Sequence, residues 1–104
     1  MPRSSFIQMG GFDKRFQTSG GGLVNHDFLY RVLSRPETCP VVILGEGSFH
    51  QIHGGVASNV PPDKHPWEVF KAEYIRIHGK LNLKISSTPY YIGKMPGAAR
   101  KFIK

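Results

Sequence analysis

The strongest periodic signal in the chain lies between Pro66 and Gly79. There Trp67, Phe70, Tyr74 and Ile77 recur at the spacing of one face of an α-helix. Pro66 suits a first helical position, and Gly79 supplies a stop after His78 because glycine readily takes the left-handed conformation past a helix end. A second stripe, Phe28, Leu29, Val32 and Leu33, predicts a helix that Asn25 caps and Pro36 terminates, with Arg31 and Arg35 toward its C-terminal end. Phe6 and Ile7 predict a short helix ending at Gly10-Gly11. Val41-Val42-Ile43-Leu44 is continuously apolar, rich in β-branched residues and flanked by Pro40 and Gly45, so it reads as a buried strand.

Weaker patterns complete the outline. Phe49 to His53 alternates as a second, shorter strand would, and Leu81 to Ser87 alternates weakly. Pro89 to Gly93 reads as extended, and the tail from Pro96 to Lys104 as a short basic helix. These elements predict an α/β fold, with two main helices plus a small, mostly short-stranded sheet, in a single domain spanning residues 1–104. The 12 glycines and 8 prolines exceed average usage, notably in Thr18 to Gly22 and Asn59 to His65, which points to a loop-rich architecture rather than a helical bundle.

Charge narrows the partners. Fourteen Lys and Arg against seven Asp and Glu give +7, which favours anionic partners such as nucleic acid, nucleotide-sugar, phosphate or acidic headgroups. Lys80, Lys84, Lys94, Arg100, Lys101 and Lys104 enrich the C-terminal third, with Tyr90 and Tyr91 interleaved as a stacking platform would require. The basic residues form no stripe and no nucleic-acid motif, so a polyanion-binding module is the second reading. The lone Cys39 excludes an intrachain disulfide and a thiolate zinc cluster, which fits a reducing cytoplasm. No apolar run has the length of a membrane span or the form of a signal peptide.

Candidate chemistry concentrates between Leu44 and Gly55, where Glu46, His50 and His53 lie within eight residues among glycines. Imidazole and carboxylate suit a divalent metal, but strand alternation sends His50 and His53 to opposite faces, so they do not serve one ion together. His26, His65 and His78 lie at helix ends, where capping is the preferred role. Gly20-Gly21-Gly22 before a helix has the form of a loop that offers backbone N–H groups to an anion, without the Lys-Ser/Thr of a P-loop. Ser48 is not in a nucleophile elbow, and Cys39 has no neighbouring charge to lower its pKa.

The residues themselves resemble family 2 glycosyltransferases, which have the GT-A fold. Gly10-Gly11-Phe12-Asp13-Lys14-Arg15-Phe16 is similar to that family's Gly-Gly-Phe-Asp-Glu-Arg-Phe motif. Gly20-Gly21-Gly22-Leu23-Val24-Asn25-His26-Asp27-Phe28 and the Leu44 to Asn59 block, with its His53-Gly54-Gly55, resemble segments of one bacterial branch, as do Phe70 to Gly79 and Pro89 to Gly93.

The resemblance implies transfer of a sugar from a nucleotide-diphosphate donor to an acceptor hydroxyl, with a divalent cation (Mg or Mn) on the leaving diphosphate and a carboxylate as base. Where many members carry Glu-Asp-x-Asp, this chain has Val24-Asn25-His26-Asp27. Asp27 is therefore the candidate base, with Glu46 behind it. His53 and then His50 are the candidates for the metal, and Gly20, Gly21, Gly22 and Asn25 for contacts to the bound nucleotide-sugar along the acceptor-side wall. The nucleotide-binding half of the family precedes the matching motifs. The expectation is thus an acceptor-side, C-terminal portion of a GT-A-like fold, inactive by itself, either a remnant or fragment or a subunit complemented by a separate N-terminal half, and marginally stable or self-associating because its strand edge is left bare.

Overall fold

The structure is a computed structural model and describes residues 1–47 and 53–102. In chain order it runs α1 (Arg3–Gln8), a 3₁₀ turn (Ser19–Gly21), α2 (Val24–Leu33), β1 (Val41–Leu44), a 3₁₀ turn (Pro62–Lys64), α3 (Trp67–His78), β2 (Tyr90–Gly93) and a 3₁₀ helix (Gly97–Phe102). The fold is α/β, with α2 and α3 as the main helices and a two-stranded parallel sheet. No helix among the described residues is long and apolar enough to cross a membrane.

α3 forms where its periodicity predicts. Pro66 serves as N-cap rather than first helical residue, and Gly79 closes the helix at φ +79°, its N–H returning to the Ile75 carbonyl at 2.7 Å. Of the predicted apolar face, Phe70 and Tyr74 are buried, whereas Trp67 at the helix entry is exposed. α2 starts at Val24, one residue before the predicted cap. Leu23 takes the N-cap position, and Asn25 lies exposed in the first turn with no capping role. Leu23 is buried because it packs with Phe70 and Tyr74 in the core, joined by Phe16, Ala57 and Leu83. α2 ends at Leu33, before Pro36 is reached, and the Thr38 hydroxyl donates to the carbonyls of Val32 and Arg35 beyond that end.

A second apolar cluster fastens α1. Its chain turns at Gly10 and Gly11, and Phe6, Phe12 and Phe28 meet with ring centroids 5.1–5.4 Å apart in edge and tilted arrangements.

β1 pairs with β2 in parallel register, Val41 opposite Tyr90 through Leu44 opposite Gly93. The strand predicted as buried is exposed: Val41, Val42 and Ile43 retain 53%, 41% and 54% of their accessible surface. β-branched sequence favours the extended backbone, but burial needs a layer on each face, and among the described residues no other element packs closely on this pair. Leu81 to Ser87 forms no strand, and the predicted strand from Phe49 to His53 falls largely outside the described residues; His53 itself is not in a strand.

Candidate functional site

Asp27, on the inner face of α2, is 1% exposed. A carboxylate at that depth needs charged partners for both oxygens. Oδ2 accepts from Nε of Arg31, one turn along α2, at 2.9 Å, and Oδ1 accepts from Nε2 of His78, the last residue of α3, at 3.0 Å. The remaining guanidinium nitrogens of Arg31 donate to the carbonyls of Met9 (2.9 Å) and Gly11 (2.7 Å). One buried carboxylate thereby joins α2, α3 and the Gly10–Phe16 loop.

That loop brings Asp13 alongside. Arg15 grips the Asp13 carboxylate with Nε (3.1 Å to each oxygen), Nη2 (2.7 Å) and its backbone N–H (3.0 Å). The Arg15 hydrogen bonds outweigh the cost of burial and hold the Asp13 carboxyl at about 2, below its ordinary 3.8. Phe16 closes the loop against Tyr74, and the His78 imidazole completes a three-ring cluster with them, 4.7 Å from the Tyr74 ring and 6.0 Å from Phe16. Burial, and then the Asp27 charge, push the Tyr74 hydroxyl up.

Two open clefts meet at this point. One, of about 340 Å³, is lined by Tyr30, Tyr74, Lys80 and Asn82 beside Asp27. The other, of about 350 Å³, follows Gly10 to Arg15. His78 and Arg31 border both. Of these two, Arg31 is committed to three acceptors, which leaves His78, with 28% of its side chain exposed, as the group able to act where both clefts meet. A carboxylate only accepts, so Nε2 of His78 carries the proton of this hydrogen bond, and in the neutral imidazole Nδ1 is the nitrogen with the lone pair. The arrangement suits proton abstraction by His78, with Asp27 fixing the tautomer and stabilising the imidazolium.

Asp13, Asp27 and His78 are the one described group whose metal-ligating atoms all lie within 4.8 Å of one another. They do not fit a magnesium or manganese ion. Arg15 and Arg31 already occupy the carboxylates, and an added dication would face two fixed guanidinium charges.

The other sequence-predicted residues lie elsewhere. Glu46 follows β1 and lines a separate cleft with Met95, Pro96 and Ala99. His53 is exposed, its Nδ1 lies 2.9 Å from the Gly54 carbonyl oxygen, and its own carbonyl accepts from Asn59 Nδ2; His50 lies outside the described residues. Neither Glu46 nor His53 borders the clefts at His78. Gly20, Gly21 and Gly22 form a tight turn at φ +82°, +82° and +52°. A Cβ on Gly20 would meet Val56 Cβ at 2.9 Å, and one on Gly22 would meet Glu73 Oε2 at 3.0 Å. Just before this turn, the N–H groups of Gln17 and Thr18 donate to Glu73 Oε1 at 2.8 and 2.9 Å. The amides leading into the glycine turn thus already hold an anion of the protein's own. Burial alone would raise the Glu73 carboxyl, but these hydrogen bonds and Arg76 bring it below its ordinary value.

Sequence reasoning placed Asp27 in the site and passed over His78, Arg31 and Asp13. The Asp27–Arg31 separation of four is a legible helical ion-pair signal. His78 had no such mark, because its partner lies 51 positions away in the chain. Comparison with family models, curated proteins and solved structures returns no match for this chain.

Proposed function

We propose that this chain supplies the proton-accepting, acceptor-side wall of a glycosyl-transfer site. The observation that carries the reading is the buried Asp27 held between Arg31 and His78 at the meeting of two clefts. The resemblance of the surrounding motifs to family 2 glycosyltransferases supplies the reaction class. In the proposed step Nδ1 of His78 takes the proton of an acceptor hydroxyl, and the acceptor oxygen bonds to the anomeric carbon of the donor sugar. The bond from that carbon to the diphosphate oxygen breaks, releasing the nucleoside diphosphate. Asp27 is too buried to touch the acceptor and acts by positioning His78, which refines its expected role as the base. The nucleotide-sugar, with its Mg or Mn ion, is proposed to sit on a wall provided by a nucleotide-binding half, away from the Asp13–Asp27–His78 group.

The test is release of nucleoside diphosphate from a panel of nucleotide-diphosphate sugars, by this chain alone and joined to a GT-A nucleotide-binding half. Turnover is expected only in the joined protein, falling roughly 10²- to 10⁴-fold in His78→Ala. Turnover unchanged in both His78→Ala and Asp27→Asn would refute the assignment. The polyanion-binding alternative draws on Tyr90 and Tyr91, which stand 70% and 63% exposed on β2. Strand alternation turns their rings to opposite faces, so they make no shared stacking surface.

A further inference from the structure

The cleft between α2 and the chain leaving α3 has an unbalanced hydrogen-bond inventory. Tyr74 donates its hydroxyl proton to the Asn82 carbonyl at 3.1 Å, and Asn82 Nδ2 donates to the Tyr30 hydroxyl at 3.1 Å. Tyr30 therefore keeps its own proton to donate, and no acceptor for it stands among the described residues. Lys80, brought to the cleft by the Gly79 turn, likewise has no carboxylate partner among the described residues. Asp27 does not redress the balance, because both of its oxygens are engaged below the surface and Arg31 cancels its charge. Besides the paired Asp27 and Arg31, the cleft is thus lined by the cationic Lys80, by Tyr30 with a hydroxyl proton to donate, and by an imidazole that becomes cationic when it accepts a proton.

We infer that this cleft binds the phosphate group of a phosphorylated acceptor alcohol, with Lys80 and Tyr30 donating to its oxygens beside His78. Phosphate suits the site better than carboxylate because its oxygens point in three directions, whereas the donors converge from α2 and from the end of α3. The anion would also favour the protonated form of His78, making the imidazole a stronger acceptor for the hydroxyl proton. That the phosphate belongs to the acceptor rests on the proposed glycosyl transfer; the anion site itself is read by binding alone.

Isotope-labelled protein titrated with glycerol 3-phosphate, inorganic phosphate, acetate and glycerol, followed by NMR, tests the inference. Both phosphate compounds are expected to shift Tyr30, His78 and Lys80 saturably, acetate more weakly, and glycerol not at all. Lys80→Gln should weaken phosphate binding roughly tenfold or more, while Lys84→Gln leaves it unchanged. Tyr30→Phe, which keeps the ring but removes the donor, should weaken it as well. The inference falls if no saturable shift occurs, if acetate binds as tightly as phosphate, or if Lys84→Gln weakens binding as much as Lys80→Gln. Intact phosphate binding without sugar transfer would remove the transferase reading and leave the anion site standing.

Discussion

Arg31 compensates the Asp27 charge while tethering the Gly10–Phe16 loop, so its removal acts twice. Arg31→Met, which keeps much of the aliphatic bulk, should destabilise the chain by roughly 3 kcal/mol, read by urea denaturation, because it strands a buried carboxylate. A loss under 1 kcal/mol would mean that His78 alone suffices for Asp27. Asp13 makes a separate prediction, in pH. Its folded-state pKa of about 2 lies below the ordinary 3.8, so its contribution is complete above pH 4 and disappears as pH falls through about 2. Asp13→Asn should flatten the stability profile across that window, and a carboxyl titration by NMR should find Asp13 near 2. A midpoint near 4 would show that Arg15 does not grip it in solution.

Among the elements, the glycine turn before α2 gives the sharpest mutational test. Gly20 combines φ +82° with a Val56 Cβ 2.9 Å from where its own Cβ would stand, and neither partner has a flexible end to move aside. Gly20→Ala should cost more than the roughly 1 kcal/mol of left-handed strain alone, measured as a fall in the thermal midpoint. A neutral result would show that the turn repacks easily. This turn had the sequence signature of a phosphate cradle, yet its neighbouring amides are spent on Glu73. The helices were more legible: α3 was readable end to end, since an apolar stripe and a left-handed glycine stop are both local signals. The start of α2 was displaced by two residues because burial of Leu23, a tertiary effect, outweighed the capping preference of Asn25.

At the scale of the whole molecule, surface is in excess. The radius of gyration is 16.3 Å where a compact chain of this length would have about 13 Å. The accessible surface is 8453 Å² against roughly 5,800 Å² for a compact monomer of this mass. Part of the excess is the bare β1–β2 pair, whose strands carry no charged side chain. Parallel sheets are stable when both faces are covered, so the isolated chain should self-associate with rising concentration. Light scattering checks this, and Ile43→Lys should shift the population toward monomer. A monomer throughout the micromolar range, melting in one sharp transition, would contradict it.

The sequence by itself determined the α/β class and the courses of α3, β1 and β2, because helical spacing, turn glycines and β-branched runs act over a few neighbouring positions; Asp27 was singled out only through the resemblance, and its burial came from the tertiary structure. Only the tertiary structure decided that His78 faces Asp27, that Arg31 ties three segments to it, that Glu46 and His53 lie away from it, and that β1 stands exposed. Each of these depends on which distant surface a side chain meets, and local periodicity states which face of an element is apolar without stating what will cover it.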